Sequence, residues 1–206
     1  GITLVLGIFY SAPPLKLSYR GLGELIIGII FGPLLMTGIS LAGCGHIDGT
    51  IAMISVPVGM LVTNILFTHS FLDKEADKEA GKMTLARLLK TDAANLVTSI
   101  VLNIAPFVII IYGVVAGWFH WAYLFILIAL PRALWLVNSL FKFAKGKDID
   151  TTCPPKFLGK FPNWEQYSAA GLGWFMIRWI TCRNLVSQFC GVAAVVTIVL
   201  KVISLF

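Results

Sequence analysis

Apolar residues run along this chain in long blocks broken by short polar stretches, and block length sets the first structural expectation. A helix crossing a bilayer needs about 20 mostly apolar residues. Five segments meet that requirement: Leu22–Gly43, Thr50–Leu72, Ala93–Ala116, Phe119–Phe143 and Arg183–Phe206. Ile2–Tyr10 is equally apolar but only about half a crossing long at roughly 1.5 Å per residue. It opens at Gly1 with no basic stretch and no cleavage pattern, so it reads as a helix entered partway along and the chain as a fragment. The pattern predicts an all-α, multi-spanning transmembrane bundle, one domain over residues 1–206 truncated at its N-terminus. Trp164–Ile180, aromatic-rich and following Pro154, Pro155 and Pro162, predicts a helix lying in the interface, with a short re-entrant segment as the alternative.

The polar breaks orient the bundle. Lys16 and Arg20 occupy the first; Lys74, Lys78, Lys82, Arg87 and Lys90 follow the second full span; Lys142, Lys145, Lys147, Lys156 and Lys160 end and follow the fourth. The alternate breaks, Cys44–Gly49 and Gly117–Trp118, hold no Lys or Arg. That alternation predicts an integral membrane protein with the three basic loops cytoplasmic. Trp118 and Trp121 fit an aromatic belt at the opposite interface.

Composition agrees. Residues of the AVILMFWYC set make up 58% of the chain and charged residues 13%, against about one quarter charged in soluble domains, so lipid is the expected solvent. The net charge of +6 sits in the breaks rather than on one face, which argues against a nucleic-acid partner. Cys44, Cys153, Cys182 and Cys190 lack metal-ligand spacing and read as small packing residues. Asn64 and Asn103 are expected to be polar contacts between helices, and Asp48 an N-cap.

Two stretches carry candidate chemistry. In Asp73-Lys74-Glu75-Ala76-Asp77-Lys78-Glu79-Ala80-Gly81-Lys82-Met83-Thr84-Leu85-Ala86, Asp73 and Asp77 lie four apart. On a helix continuing from the membrane their carboxylates share a face. Two hard oxygen ligands one turn apart suit Mg²⁺, which completes its shell with water and substrate phosphates. Spacing alone leaves open an ordinary solvated helix laced with Glu–Lys pairs. In Tyr10-Ser11-Ala12-Pro13-Pro14-Leu15-Lys16-Leu17-Ser18-Tyr19-Arg20-Gly21-Leu22-Gly23-Glu24, the prolines end the helix and stiffen its exit. Lys16 and Arg20 then sit on a constrained loop where they can meet anions; a plain positive anchor is the alternative. Both stretches open on the same side by the charge pattern, and acids for a metal beside bases for phosphate oxygens are what a magnesium–diphosphate ligand requires.

On these residues the sequence resembles the UbiA superfamily of intramembrane prenyltransferases. YSAPPLKLSYRGLGE is similar to the family's YS-x-PP-x-(Arg/Lys)…GxGE loop, and LDKEADKEAGKMTLA to its second aspartate-rich motif. The order of loop, two spans, DxxxD and three spans also matches over nearly the whole chain, making the opening half-helix the family's fourth span and the last segment its ninth. The resemblance implies Mg²⁺-dependent transfer of an isoprenyl chain from a polyprenyl diphosphate to an aromatic, quinone-precursor acceptor, within a membrane expected to be that of a bacterial cell. Asp73 and Asp77 would bind Mg²⁺ as the catalytic pair, Lys16 and Arg20 would hold diphosphate, Tyr10 and Ser11 would line the same pocket, and Lys82 is a further phosphate candidate. The AGKMTLA run leans towards the dihydroxynaphthoate prenyltransferases of menaquinone synthesis.

Two departures stand out. The family's first aspartate-rich motif, of NDxxDxxxD type, would lie upstream of Gly1, so the fragment alone is expected to be inactive. His69, Ser70 and Phe71 precede Asp73 where quinone-forming members commonly carry Asn-x-x-Arg-Asp. Arg132 falls near mid-span, where an arginine costs at least about 2.5 kcal/mol on insertion scales; it is expected either to face substrate or to bond carbonyls freed by Pro131. The rival classes are a transporter or channel subunit, disfavoured by the few polar residues of Ala93–Ala116, and a CDP-alcohol phosphotransferase, whose denser aspartate pattern is missing.

Overall fold

The computed structural model describes residues 1–204 and is all-helical over them. A short helix α1 (Ile2–Ser11) leads through a 3₁₀ turn at Leu17–Arg20 into the span α2 (Gly23–Cys44). The spans α3 (Gly49–Leu72), α6 (Asp92–Val115), α7 (Trp121–Ala144) and α9 (Gly173–Ile203) follow, all five long and apolar enough to cross a membrane. Between them lie the short helices α4 (Lys74–Glu79), α5 (Leu85–Leu88) and α8 (Trp164–Ala169). α3 is central and packs on α2, α6 and α9, while α7 closes the other side against α6 and α9.

Small residues set the α2–α3 contact. A Cβ on Gly32 would stand 2.5 Å from Gly59 Cα and from Ser55 O, and one on Gly28 would stand 2.7 Å from Gly59 O. The Gly28-x-x-x-Gly32 stripe thus lets two backbones touch, a common solution where lipid supplies no hydrophobic drive between helices. Pro33, on the same helix, removes a donor and crowds the preceding turn; the helix widens to π geometry over Ile30–Leu34 to accommodate it. The α3–α6 contact carries the expected polar pair: Asn64 Nδ2 donates to Asn103 Oδ1 at 2.9 Å and Asn103 Nδ2 returns a bond to Asn64 Oδ1 at 3.2 Å. Both side chains are buried.

At the end away from the basic loops, Asp48 caps α3 by accepting from the backbone N–H groups of Thr50 and Ile51 at 2.9 and 3.2 Å. The Ile51 N–H bond and nearby Lys201 hold its carboxyl below the ordinary aspartate range. Trp118 and Trp121 are exposed at this end, as a belt requires.

Three expectations change. Trp164–Ile180 is not one interfacial helix: a left-handed Gly171 ends α8, and residues from Gly173 onward are the first turns of α9. At 31 residues α9 is about 46 Å long, more than the roughly 30 Å hydrocarbon core needs, so the last span begins ten residues earlier than Arg183; its expected end at Phe206 lies outside the described residues. α7 is wound as 3₁₀ helix over Trp121–Ala129 and becomes α-helical at Leu130, with Pro131 in the first turn, where its missing N–H costs nothing. The packing role of the cysteines holds for buried Cys182 and half-buried Cys190, whereas Cys44 and Cys153 are exposed; all four are free thiols.

Arg132 is used to hold a loop. Its Nε donates to Phe157 O at 2.8 Å and its Nη1 to Asn184 O at 3.1 Å, while Asn184 Nδ2 donates to Leu158 O at 2.9 Å and Lys160 O at 3.1 Å. Irregular backbone beside lipid must have its carbonyls satisfied, and these two side chains do so for the segment after α7.

Candidate active site

The two motif loops are joined directly. Gly21, at φ +75°, donates its N–H to Met83 O at 3.0 Å. A side chain there would be strained and would crowd the Leu88 side chain. One turn on, Glu24 is buried at 5% exposure, and its Oε1 accepts from the Ser70 hydroxyl at 2.8 Å and the Leu85 N–H at 3.1 Å. One carboxylate therefore ties α2, the end of α3 and the start of α5. Gly23 leaves room for Ser18 and the Tyr10 ring, whose hydroxyl oxygen would lie 3.3 Å from a Cβ at that position. The Ser18 hydroxyl bonds Tyr10 O at 2.8 Å.

Glu24 is a functional residue that the motif does not single out; its one sequence signal is a lone acid opening an apolar run. Glu24→Ala leaves the buried Ser70 hydroxyl unpaired, worth about 1–3 kcal/mol, and frees the half-buried Leu85 N–H. Its expected result is a lower unfolding temperature and faster proteolysis of residues 73–90, with Glu24→Gln, which keeps an acceptor oxygen, close to wild type. Equal proteolysis in all three proteins removes the clamp.

These ties enclose a cavity of about 320 Å³ lined by Tyr10, Ser18, Gly23, Glu24, Ile65, Leu66, His69, Ser70, Lys82, Thr84 and Trp179. Two of the sequence-predicted residues, Tyr10 and Lys82, line it. The acids flank it through intermediaries. Asp77 is 8% exposed with Oδ1 3.5 Å from Lys82 Nζ, and Asp73 Oδ2 lies 3.6 Å from His69 Nε2. The expected continuous helix is broken: Asp73, at φ −97° and ψ 15°, sits in the bridge region between α3 and α4. The i to i+4 bond from Asp77 N–H to Asp73 O survives at 2.8 Å, but the two carboxylates are drawn to different neighbours. The return of the loop is fixed by Lys82 N–H on Asp77 O at 2.9 Å, and by Arg87, which donates to the carbonyls of Asp77 and Lys82.

Ser11, Lys16 and Arg20 stand outside the cavity lining and are exposed. Lys16 is held at φ +44°, and the Arg20 guanidinium reaches only Pro14 O at 3.5 Å. Neither has a carboxylate partner among the described residues. Arg132, engaged as described above, is not part of this lining. His69, Ser70, Thr84 and Trp179 do line it, and the sequence assigned none of them a role.

A metal can be tested against the donors. Asp77 Oδ2 is buried with no hydrogen-bond partner, and so is Thr84 Oγ1. Among the described residues no cluster of three or more His, Cys, Asp or Glu side chains could hold an ion by protein ligands alone. One or two carboxylates with an unused oxygen suit Mg²⁺, which keeps waters and takes substrate phosphate oxygens.

Residues 1–161 match the family model described as the UbiA prenyltransferase family. The chain is 31% identical over 178 residues to 2-carboxy-1,4-naphthoquinone phytyltransferase of Synechocystis sp., covering 84% of this chain and 56% of that protein. It is 28% identical over 160 residues to UbiA prenyltransferase domain-containing protein 1 of Dictyostelium discoideum, covering 70% and 43%. It is 31% identical over 88 residues to 1,4-dihydroxy-2-naphthoate octaprenyltransferase of Bacillus subtilis, covering 43% and 28%. The chain thus spans about half the length of the first two relatives. No solved structure matches it significantly.

Proposed function

The chain belongs to the UbiA prenyltransferase family, and from that premise we propose that it forms the diphosphate-binding half of a magnesium-dependent enzyme that prenylates a naphthoate-type aromatic ring. It is an integral membrane protein, with prenyl transfer to an aromatic acceptor as its reaction class. The observation carrying the finer reading is the Gly21 N–H to Met83 O bond, which holds the cationic Pro loop and the aspartate loop at one mouth. On this reading the three basic loops face the cytoplasm of a bacterial cell.

Asp77, through its unpartnered Oδ2, and Asp73 would hold Mg²⁺. The ion supplies charge neutralisation for departing pyrophosphate. The remaining work falls to this chain's own residues. Lys16, Arg20 and Lys82 bind the phosphate oxygens, with Lys82 leaving Asp77 to do so. Tyr10, Ser18 and Thr84 offer hydroxyls in the cavity, and Ser11, next to Tyr10 in the chain, would extend that wall once substrate is bound. Ile65, Leu66 and Trp179 form the apolar wall that keeps water from the developing allylic cation.

The test is an assay of a protein spanning its relatives' full length, in proteoliposomes, with geranylgeranyl diphosphate and 1,4-dihydroxy-2-naphthoate. Prenylated product and pyrophosphate should appear together and stop on adding EDTA; turnover that EDTA leaves untouched removes the metal. Lys16→Ala loses a charge-assisted contact and is expected to raise KM for the diphosphate about tenfold with kcat little changed. An unchanged KM takes Lys16 out of the phosphate site.

A further inference from the structure

Arg178 is the largest fully buried side chain among the described residues, 2% exposed, and its guanidinium is held by neutral groups. Nε and Nη2 donate to Ser139 O at 3.3 and 3.2 Å, Nη1 donates to Trp174 O, and the guanidinium carbon stands 5.4 Å from the Phe143 ring centroid. Carbonyl oxygens and a ring face satisfy donors but carry no full negative charge. No carboxylate among the described residues forms an ion pair with it. Burying an ion without an ion-pair partner costs several kcal/mol, so a further anion brought close to it would recover part of that cost.

The surroundings offer a cavity of about 340 Å³ that Arg178 lines with Phe143, Lys147, Asp148 and Trp174. Asp148, the one acid there, faces the Arg178 charge without forming an ion pair with it, and with Lys147 the lining keeps one net positive charge. The positive end of the 31-residue α9 begins at Gly173, beside Trp174. The stacked rings of Phe143 and Trp174, 5.8 Å apart, give the cavity an apolar wall. It lies at the basic-loop ends of α7 and α9. Basic pockets between helices at this level suit phosphate headgroups. It shares no lining residue with the cavity at Tyr10 and Lys82.

We propose that this second cavity, built on Arg178 and Lys147, binds a phosphate-bearing anion, the chemistry shared by an anionic phospholipid headgroup and free inorganic phosphate. The cavity's Phe143–Trp174 wall also borders a cavity that Asp73 lines, but the anion is held by Arg178 and Lys147, which have no part in the proposed prenyl transfer.

The test is thermal unfolding of the protein in phosphatidylcholine nanodiscs. One arm adds phosphatidylglycerol to the bilayer; the other adds inorganic phosphate against chloride at matched ionic strength. Binding to the folded state is expected to raise the midpoint by about 3 °C or more. A response to lipid alone identifies a headgroup, and a response to phosphate alone a free anion. Lys147→Glu should abolish the shift. Asp148→Asn, which removes the competing acid, should give it at a several-fold lower ligand concentration. Both residues are exposed and lie outside the helices, so neither change should prevent folding. Lys156→Glu, outside the cavity, should respond as wild type. No shift from either additive, an unchanged shift in Lys147→Glu and Asp148→Asn, or equal loss in Lys156→Glu overturns the proposal.

Discussion

Asp77→Ala, in a protein of the relatives' full length, is expected to lower kcat for prenyl transfer by about 10²–10³ or more, the loss typical of removing one group that stabilises transition-state charge. The fold should survive. Asp77 contacts Lys82 at 3.5 Å, and that lysine is 46% exposed, so the pair contributes at most about 1 kcal/mol to stability. Asp77→Asn tests charge against shape: it keeps the volume but should also raise the magnesium concentration needed for half-activity. Asp73→Ala should fall in the same range, because its carboxylate, 36% exposed, is free to turn from His69. Glu79, exposed on the same short helix, is the control, and Glu79→Ala should stay within about twofold of wild type. Equal activity in the Asp77, Asp73 and Glu79 variants would falsify the metal assignment.

The second large effect lies in the membrane. Gly32→Leu should leave little folded protein, and even Gly32→Ala should lower the unfolding temperature by several degrees. The new Cβ meets the Gly59 Cα and Ser55 O backbone atoms at 2.5 Å, so no side chain can swing aside and the helices must part. Overpacking of this kind costs about 1–3 kcal/mol, occasionally more. Gly38→Ala on the same helix meets nothing within 4 Å and should be neutral or slightly stabilising, since alanine favours helix by up to about 1 kcal/mol. Activity should fall with stability in the Gly32 variants, because α2 carries Glu24; moving α2 off α3 pulls Glu24 from Ser70 and opens the mouth. The measurement is thermal unfolding in detergent beside turnover. A Gly32→Ala protein as stable as Gly38→Ala would mean that the two helices do not meet through glycine.

Much of this was legible in order along the chain. Apolar block length is a local property, and so is the alternation of basic and uncharged breaks; five crossings and the single side of the basic loops follow from them. Asp48 as a cap and Asn64 with Asn103 as a contact between helices were readable because a polar residue in such a setting has few ways to be satisfied. Arg132 was singled out for its cost, and the two readings left open for it divide in favour of carbonyl bonding, though to Phe157 and Asn184 rather than to groups freed by Pro131.

What the tertiary structure decided is which distant groups meet. Spacing put Asp73 and Asp77 on one helical face, yet a backbone turn at Asp73 sends one carboxylate towards His69 and the other towards Lys82. The helix-break signal at Trp164–Ile180 was real, but only packing on α7 shows Gly173 to be the start of a long span. Glu24 with Leu85, 61 residues apart, and Arg178 with Ser139, 39 apart, leave no periodic trace. A sequence displays how a segment must be solvated because that depends on its own residues. It does not display which partner satisfies a buried polar group, because that depends on how whole helices cross.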